Sequence, residues 1–213
     1  SASGNGAYQL VFSDAQITNL SLPPLQGITG GISPIVRGVF KDNTGLFWIN
    51  YDRLGLGWYN PADNSLSFYR DMVPPEFQND LGDVSAFFSP SSREDEVWVG
   101  AKFFHKIYVF LTRGGVKSFT LKKVIDLKAA GVGVPLAMKE DTHGNVWIVT
   151  EYGLAVCNGE GDIQTTLRVD VHDISSMAID GWGNLWLGTR GHGLYRVVPA
   201  YRDGKVVECA VRH

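Results

Sequence analysis

The sequence predicts an all-β chain, and three observations carry that prediction. First, glycine-rich turns alternate with short apolar runs. Asp180-Gly181-Trp182-Gly183-Asn184 is followed by Leu185-Trp186-Leu187-Gly188, then Gly191-His192-Gly193, then Leu194 onward. Gly, Asp and Asn tolerate positive φ, and apolar runs this short suit strands rather than helices. Second, the unit recurs. Asp141-Thr142-His143-Gly144-Asn145-Val146-Trp147 keeps Asp six before the Trp, Gly three before and Asn two before, and Asp42-Asn43-Thr44-Gly45-Leu46-Phe47-Trp48 keeps Asp, Gly and Trp. Residues 92–100 keep only the strand and Trp98, so they form the degenerate copy. Third, the repeat's anchor residues Trp48, Trp98, Trp147 and Trp186 are 50, 49 and 39 residues apart, which brackets a four-stranded propeller blade of about 40–50 residues. The architecture expected is a β-propeller of four-stranded antiparallel blades, about four full blades plus half a blade.

In chain order, residues 7–12 and 16–22 read as the third and fourth strands of a blade, because Gly4-Asn5-Gly6-Ala7-Tyr8 aligns with Gly191-His192-Gly193-Leu194-Tyr195. A Pro- and Gly-rich loop follows at 23–31. The first full blade is expected at 32–40, 46–50, 57–60 and 65–70, with Asn60-Pro61-Ala62-Asp63-Asn64 as a strong hairpin turn. After a linker at 71–82 the second blade reads 84–88, 96–100, 106–111 and 116–120. Residues 121–133 are ambiguous, either one or two helical turns closed by Gly131 or a long linker. The third blade is 135–140, 146–150, 154–158 and 163–169. The last is 174–179, 185–188, 194–198 and 205–211, turning at Arg202-Asp203-Gly204. The units are therefore 1–24 (half blade), 32–72, 83–121, 134–170 and 174–213.

Two further features refine the fold. Leu46-Phe47-Trp48-Ile49, Val39-Phe40 and Phe87-Phe88 are apolar at consecutive positions. That implies sheets covered on both faces, as stacked blades are, and not a sandwich with one wet face. The recurring Trp is expected to fill the space between blades, and the Asp six before it to accept backbone N–H groups in the turn. A calcium ion there would need more oxygen ligands than the motif supplies. Cys157 and Cys209 fall in expected strands and are read as small hydrophobes in preference to a disulfide.

The repeat D-x-x-G-N-ϕ-W-ϕ-G-T followed by G-x-G-L-Y resembles the two-component regulator propeller repeat. The match is close at 180–197, good at 141–156, partial at 42–59 and weak at 92–110. The resemblance implies a periplasmic, non-catalytic sensor region of a bacterial hybrid two-component system, with a carbohydrate or other small extracellular ligand. It also bears on closure. Four and a half blades leave two open edges. A segment of a longer propeller, closure through a partner chain, and a small ring with an incomplete fifth blade all meet that problem. The longer arrays of the family favour the first. Open edges also carry an expectation of self-association.

Composition sets limits. The 213 residues hold 44% hydrophobic and 12% aromatic residues, 25 glycines and a formal charge of −3. That balance offers no basic footprint for nucleic acid or anionic lipid. No apolar run reaches the ~18 residues of a membrane span, so no direct membrane contact is expected of this segment. No signal peptide is visible, and Ser1-Ala2-Ser3-Gly4 reads as a start left by processing or truncation.

The loops joining second to third strands are expected to share one propeller face with the linkers between blades, and ligand sites collect on such loops. They carry Arg53, Lys102, Phe104, His105, Glu151, Tyr152, Arg190 and His192, with Tyr51, Asp52 and Phe103 beside them. Aromatic rings next to Arg, Lys, His and carboxylates can stack on a sugar face and bond its hydroxyls. These eight are the candidate ligand-binding residues; no metal, cofactor or catalytic set is assigned. There is no G-x-S-x-G elbow, no H-E-x-x-H and no metal spacing among the five His residues. The alternatives are a lyase- or hydrolase-type propeller using His105, Glu151, Arg190 and His192 as acid, base and charge clamp, and a protein-interaction propeller.

Overall fold

The computed structural model describes residues 8–10, 17–19, 35–52, 54–71, 73–112, 119–169, 171 and 173–213. Two short strands, β1 (Tyr8–Leu10) and β2 (Ile17–Asn19), pair antiparallel. Four meandering four-stranded sheets follow. Blade one is β3 (Val36–Lys41), β4 (Phe47–Tyr51), β5 (Gly55–Asn60) and β6 (Ser65–Phe68). A linker holding the one-turn helix α1 (Pro75–Gln78) leads to blade two, with β7 (Val84–Phe88), β8 (Glu96–Ala101), β9 (Lys106–Leu111) and β10 (Thr120–Asp126). Blade three is β11 (Pro135–Glu140), β12 (Val146–Thr150), β13 (Gly153–Cys157) and β14 (Ile163–Leu167). Blade four is β15 (Ile174–Ile179), β16 (Leu185–Thr189), β17 (Leu194–Arg202) and β18 (Lys205–Arg212). Each sheet runs in sequence order with antiparallel neighbours, as a meander does. This is the four-stranded-blade propeller architecture, present as a segment.

Trp48, Trp98, Trp147 and Trp186 occupy the second strand of successive blades, as the spacing predicted. The first three are fully buried. β8, β12 and β13 are buried at every position, which is why their sequences do not alternate. The cores lie between blades. Trp48 packs in one cluster with Val97, Val99 and Tyr108 of blade two. Trp98 does so with Val146, Ile148 and Ala155 of blade three, and Trp147 with Leu185, Leu187 and Val197 of blade four. First strands lie side by side: β7 against β11, β11 against β15, and Phe40 of β3 stacked on Phe87 of β7 at 6.1 Å between centroids.

The motif Asp has two duties, of which the sequence reading foresaw one. Asp141 Oδ1 accepts the backbone N–H of His143 (2.8 Å) and of Asn145 (3.0 Å), closing the turn between β11 and β12. Its Oδ2 accepts the Trp147 indole N–H at 2.9 Å, so one carboxylate fastens the turn to the core ring. Asp42 and Asp180 repeat both bonds, to Trp48 at 2.7 Å and to Trp186 at 2.9 Å. The turn glycines Gly45, Gly144 and Gly183 have φ of 92, 78 and 81°, where a Cβ would be strained. The degenerate blade solves the same problem differently. Glu96, two before Trp98, accepts its indole N–H at 3.2 Å and is held in turn by Lys122 (2.6 Å) and Arg93 (3.2 Å).

One expectation needs correction. Residues 121–133 were read as a helical turn or a linker, whereas residues 120–126 form β10, the outer strand of blade two. Lys122 and Lys123 look helix-compatible, but their amines reach Glu96 and Asp162 across strands, and Val124 and Ile125 are β-branched. Gly131, at φ 74°, closes a simple turn onto Lys128 and caps no helix. The expected strand at 116–120 and the loop at 23–31 fall mostly or wholly outside the described residues. Cys157 is buried and Cys209 half-buried, and both are free thiols. Burial pushes the Cys157 thiol up to about 12 and that of Cys209 to about 11, so both stay protonated and inert at neutral pH.

Candidate functional site

Each second strand has its motif turn at one end and the loop to the third strand at the other. The structure therefore has two rims, a turn rim and a loop rim. On the loop rim the four blades repeat one backbone device. The N–H of the residue just past the second strand bonds to the carbonyl of the residue just before the first. These bonds are Asp52 to Ile35 (2.8 Å), Lys102 to Asp83 (3.0 Å), Glu151 to Val134 (3.0 Å) and Arg190 to Asp173 (3.0 Å). A register shift sits beside each of them, at 36/38, 84/86, 135/137 and 174/176, so every inner strand bends where it reaches this rim.

Asp52, Lys102, Glu151 and Arg190 are thus equivalent positions, and their charges alternate around the arc. Each sits in a different setting. Asp52 pairs with Arg37 at 3.1 Å. Lys102 pairs with Asp83 at 3.3 Å and lies 5.1 Å from the ring centre of Phe103. Both pairs are exposed enough that each contributes no more than about 1 kcal/mol to stability. Glu151 faces Tyr152, and its charge and hydrogen bond raise the Tyr152 phenol above its ordinary range. Gly133, at φ 89°, allows that ring to lie across the linker, since a Cβ there would come within 2.7 Å of it. Arg190 is exposed. His192 approaches Asp173 at 4.0 Å, and its carbonyl is met by His213 Nε2 at 2.8 Å.

Of the eight candidates, Lys102, Phe104, His105, Glu151, Tyr152, Arg190 and His192 all lie in second-to-third-strand loops at this rim, and Arg53 lies outside the described residues. Phe103 and Tyr152 are 65% and 58% exposed, large apolar surfaces presented to solvent. His105 differs from the rest. It adopts a left-handed backbone (φ 54°), and its carbonyl accepts the Leu127 N–H, so it also shapes its loop. Sequence reasoning missed Arg37 of β3 and Asp83 of the linker, which pair with Asp52 and Lys102, and Asp173, which lies 4.0 Å from His192. The signal was available in outline, since linkers and loops share a rim, but the pairing depends on register. Among the described residues no cluster of His, Cys, Asp or Glu is placed to hold a metal ion, and no helix is long and apolar enough to cross a membrane.

The shape matches solved structures. The extracellular domain of a one-component system from B. thetaiotaomicron superposes with a TM-score of 0.61 at 15% identity, over 92% of this chain and 26% of that one. The extracellular domain of a hybrid two-component system from the same organism gives 0.61 at 18%, over 91% and 26%. A luciferin-regenerating enzyme gives 0.52 at 11%, over 73% and 54%. The chain thus spans about a quarter of the two extracellular domains. No protein-family model and no curated protein matches the sequence.

Proposed function

We propose that this chain is part of the extracytoplasmic, ligand-sensing region of a bacterial two-component signalling receptor, without catalytic activity of its own. The ligand is a carbohydrate or another small extracellular molecule, held on the loop rim by Arg53, Lys102, Phe104, His105, Glu151, Tyr152, Arg190 and His192. One observation carries this reading. Structurally equivalent rim positions bear Asp52, Lys102, Glu151 and Arg190, while the opposite rim repeats one carboxylate–tryptophan device. A scaffold that holds its turns constant and varies its loops is suited to recognition. The likeness in shape to extracellular domains of signalling systems adds support, as does the resemblance of the repeat.

Within the site, Tyr152 and the Phe103–Phe104 pair offer ring faces for stacking on a sugar. Lys102, Glu151 and Arg190 offer charged hydrogen-bond partners for its hydroxyls. Calorimetry against a panel of neutral and acidic glycan fragments tests the reading. Binding of one class is expected, with the ligand recovered chemically unchanged. Arg190→Ala should then cost about 1.5–3 kcal/mol of affinity, the usual loss for a charge-assisted bond. Turnover of a fragment would replace this reading with the lyase-type one. Binding that survives loss of Lys102, Glu151 and Arg190 together would remove the site from this rim.

A further inference from the structure

Among the described residues four acidic side chains are buried, those of Asp42, Asp80, Glu96 and Asp141. Asp42, Glu96 and Asp141 hold indoles on the turn rim. Asp80 is the exception. It stands in a 3-10 turn, Asp80–Gly82, in the linker from blade one to blade two, at the loop rim. A buried carboxylate is tolerated only where its partners satisfy it. Asp80 accepts from two side chains of β9. Lys106 Nζ donates to its Oδ2 at 2.8 Å, and the Tyr108 hydroxyl donates to the same oxygen. Burial first, and then the bond to Asp80 and its charge, push the Tyr108 phenol up, so it remains a donor.

The support under Asp80 is packed on blade one. Leu81 is fully buried in one cluster with Leu56 of β5 and with Tyr69 and Val73 of the linker. Gly55, at φ 79°, opens β5 directly after the loop of blade one. A Cβ there would come within 2.7 Å of the Leu81 carbonyl oxygen. On the other side the Phe77 ring meets the Tyr108 ring edge-on at 5.5 Å. The linker is thus wedged between blade one and β9.

Lys106 begins β9, immediately after the loop that carries Lys102, Phe103, Phe104 and His105. The same linker grips the other end of that loop. The Lys102 N–H bonds to the Asp83 carbonyl at 3.0 Å, and its amine to the Asp83 carboxylate at 3.3 Å. From the outgoing side, the His105 carbonyl accepts the Leu127 N–H at 2.8 Å. Among the described residues no other loop of this rim is held by a buried carboxylate.

We propose that Asp80 is a positioning residue of the loop rim. Acting through Lys106, it fixes the loop from Lys102 to His105, and with it the stance of the exposed Phe103 and Phe104 rings. The bearing of this on recognition rests on the ligand-site reading above; the placement of the loop does not.

Backbone amide relaxation measured by NMR on the whole chain, with no ligand added, tests the proposal. In the parent, Phe103 and Phe104 should show order parameters of about 0.85, as rigid backbone does. Asp80→Asn keeps an acceptor for Tyr108 but removes the charge that holds Lys106, and should lower both below about 0.6. Tyr152 and His192, in the loops of blades three and four, should keep their parent values. Lys106→Met should loosen the same two phenylalanines, and the double variant should be no looser than Asp80→Asn alone. A general loss of stability would lower the folded fraction and leave the order of the folded loop unchanged. Where Asp80→Asn fails to fold, Lys106→Met carries the test. Order retained at Phe103 and Phe104 in Lys106→Met would overturn the proposal, and so would equal loosening at Tyr152 and His192. Failure of every fragment in the glycan panel would count against the ligand reading and leave this result standing.

Discussion

The turn rim and the loop rim are opposite ends of the same strands, and they treat charge in opposite ways. On the turn rim, Asp42, Asp141 and Glu96 are 4%, 6% and 3% exposed, and each accepts hydrogen bonds from several fixed donors. On the loop rim, Lys102 and Arg37 keep about half their side chains in water, and each has one carboxylate partner. A buried carboxylate must be fully satisfied to be tolerated, so the turn rim has little freedom to vary. The loop rim makes its constant bonds through the backbone, which leaves its side chains free to differ. Repeated chemistry here marks structure, and varied chemistry marks the place where recognition can sit.

The comparison can be broken most severely at the turn rim's tryptophans. Trp147→Ala should cost about 3–5 kcal/mol, as large core truncations do, measured by urea unfolding with near-ultraviolet dichroism. A cost below about 1 kcal/mol would mean that the blade interface does not depend on this ring. Asp141→Ala comes next. It strands two backbone N–H groups, the Trp147 indole and the Tyr201 hydroxyl, and should cost about 2–4 kcal/mol. Glu96→Gln sharpens the contrast between motif and degenerate blades. It keeps an acceptor for Trp98 but removes the charge from Lys122 and Arg93, so a loss of about 1–3 kcal/mol is expected.

A gentler probe is pH. In the folded state the Asn184 side chain leads the groups that hold the Asp180 carboxyl down, from 3.8 to about 2, with Trp186 assisting. A folded value below the unfolded one means that the bond contributes fully above pH 3.8 and is lost as pH falls through about 2. The Trp186 indole N–H resonance should therefore hold its position through pH 4 and shift only as pH falls through about 2. A shift centred near pH 4 would show that the carboxylate is not held.

The tryptophan positions, the turns and the two-sided burial were legible in the sequence because each follows from a local rule: glycine at positive φ, or apolar residues at consecutive positions. The indole–carboxylate bond was legible only in the constant spacing of six between Asp and Trp. The substitute at Glu96 was not, since it depends on Lys122 arriving from the fourth strand of its own blade. That same strand, residues 120–126, was misread because pairing overrode its helix-like composition. At the loop rim the sequence supplied the loops and their side chains. The partners Arg37, Asp83 and Asp173 became visible only through register, which no local pattern encodes.

The division of labour between the rims is tested most directly by one variant measured two ways. Lys102→Ala, Glu151→Ala and Arg190→Ala combined should leave the urea unfolding free energy within about 1 kcal/mol of the parent, since exposed pairs contribute little. The same protein should lose at least about tenfold in affinity for the small ligand proposed for the loop rim, equivalent to about 1.4 kcal/mol. A variant that unfolds readily while its remaining folded fraction binds normally would contradict the account.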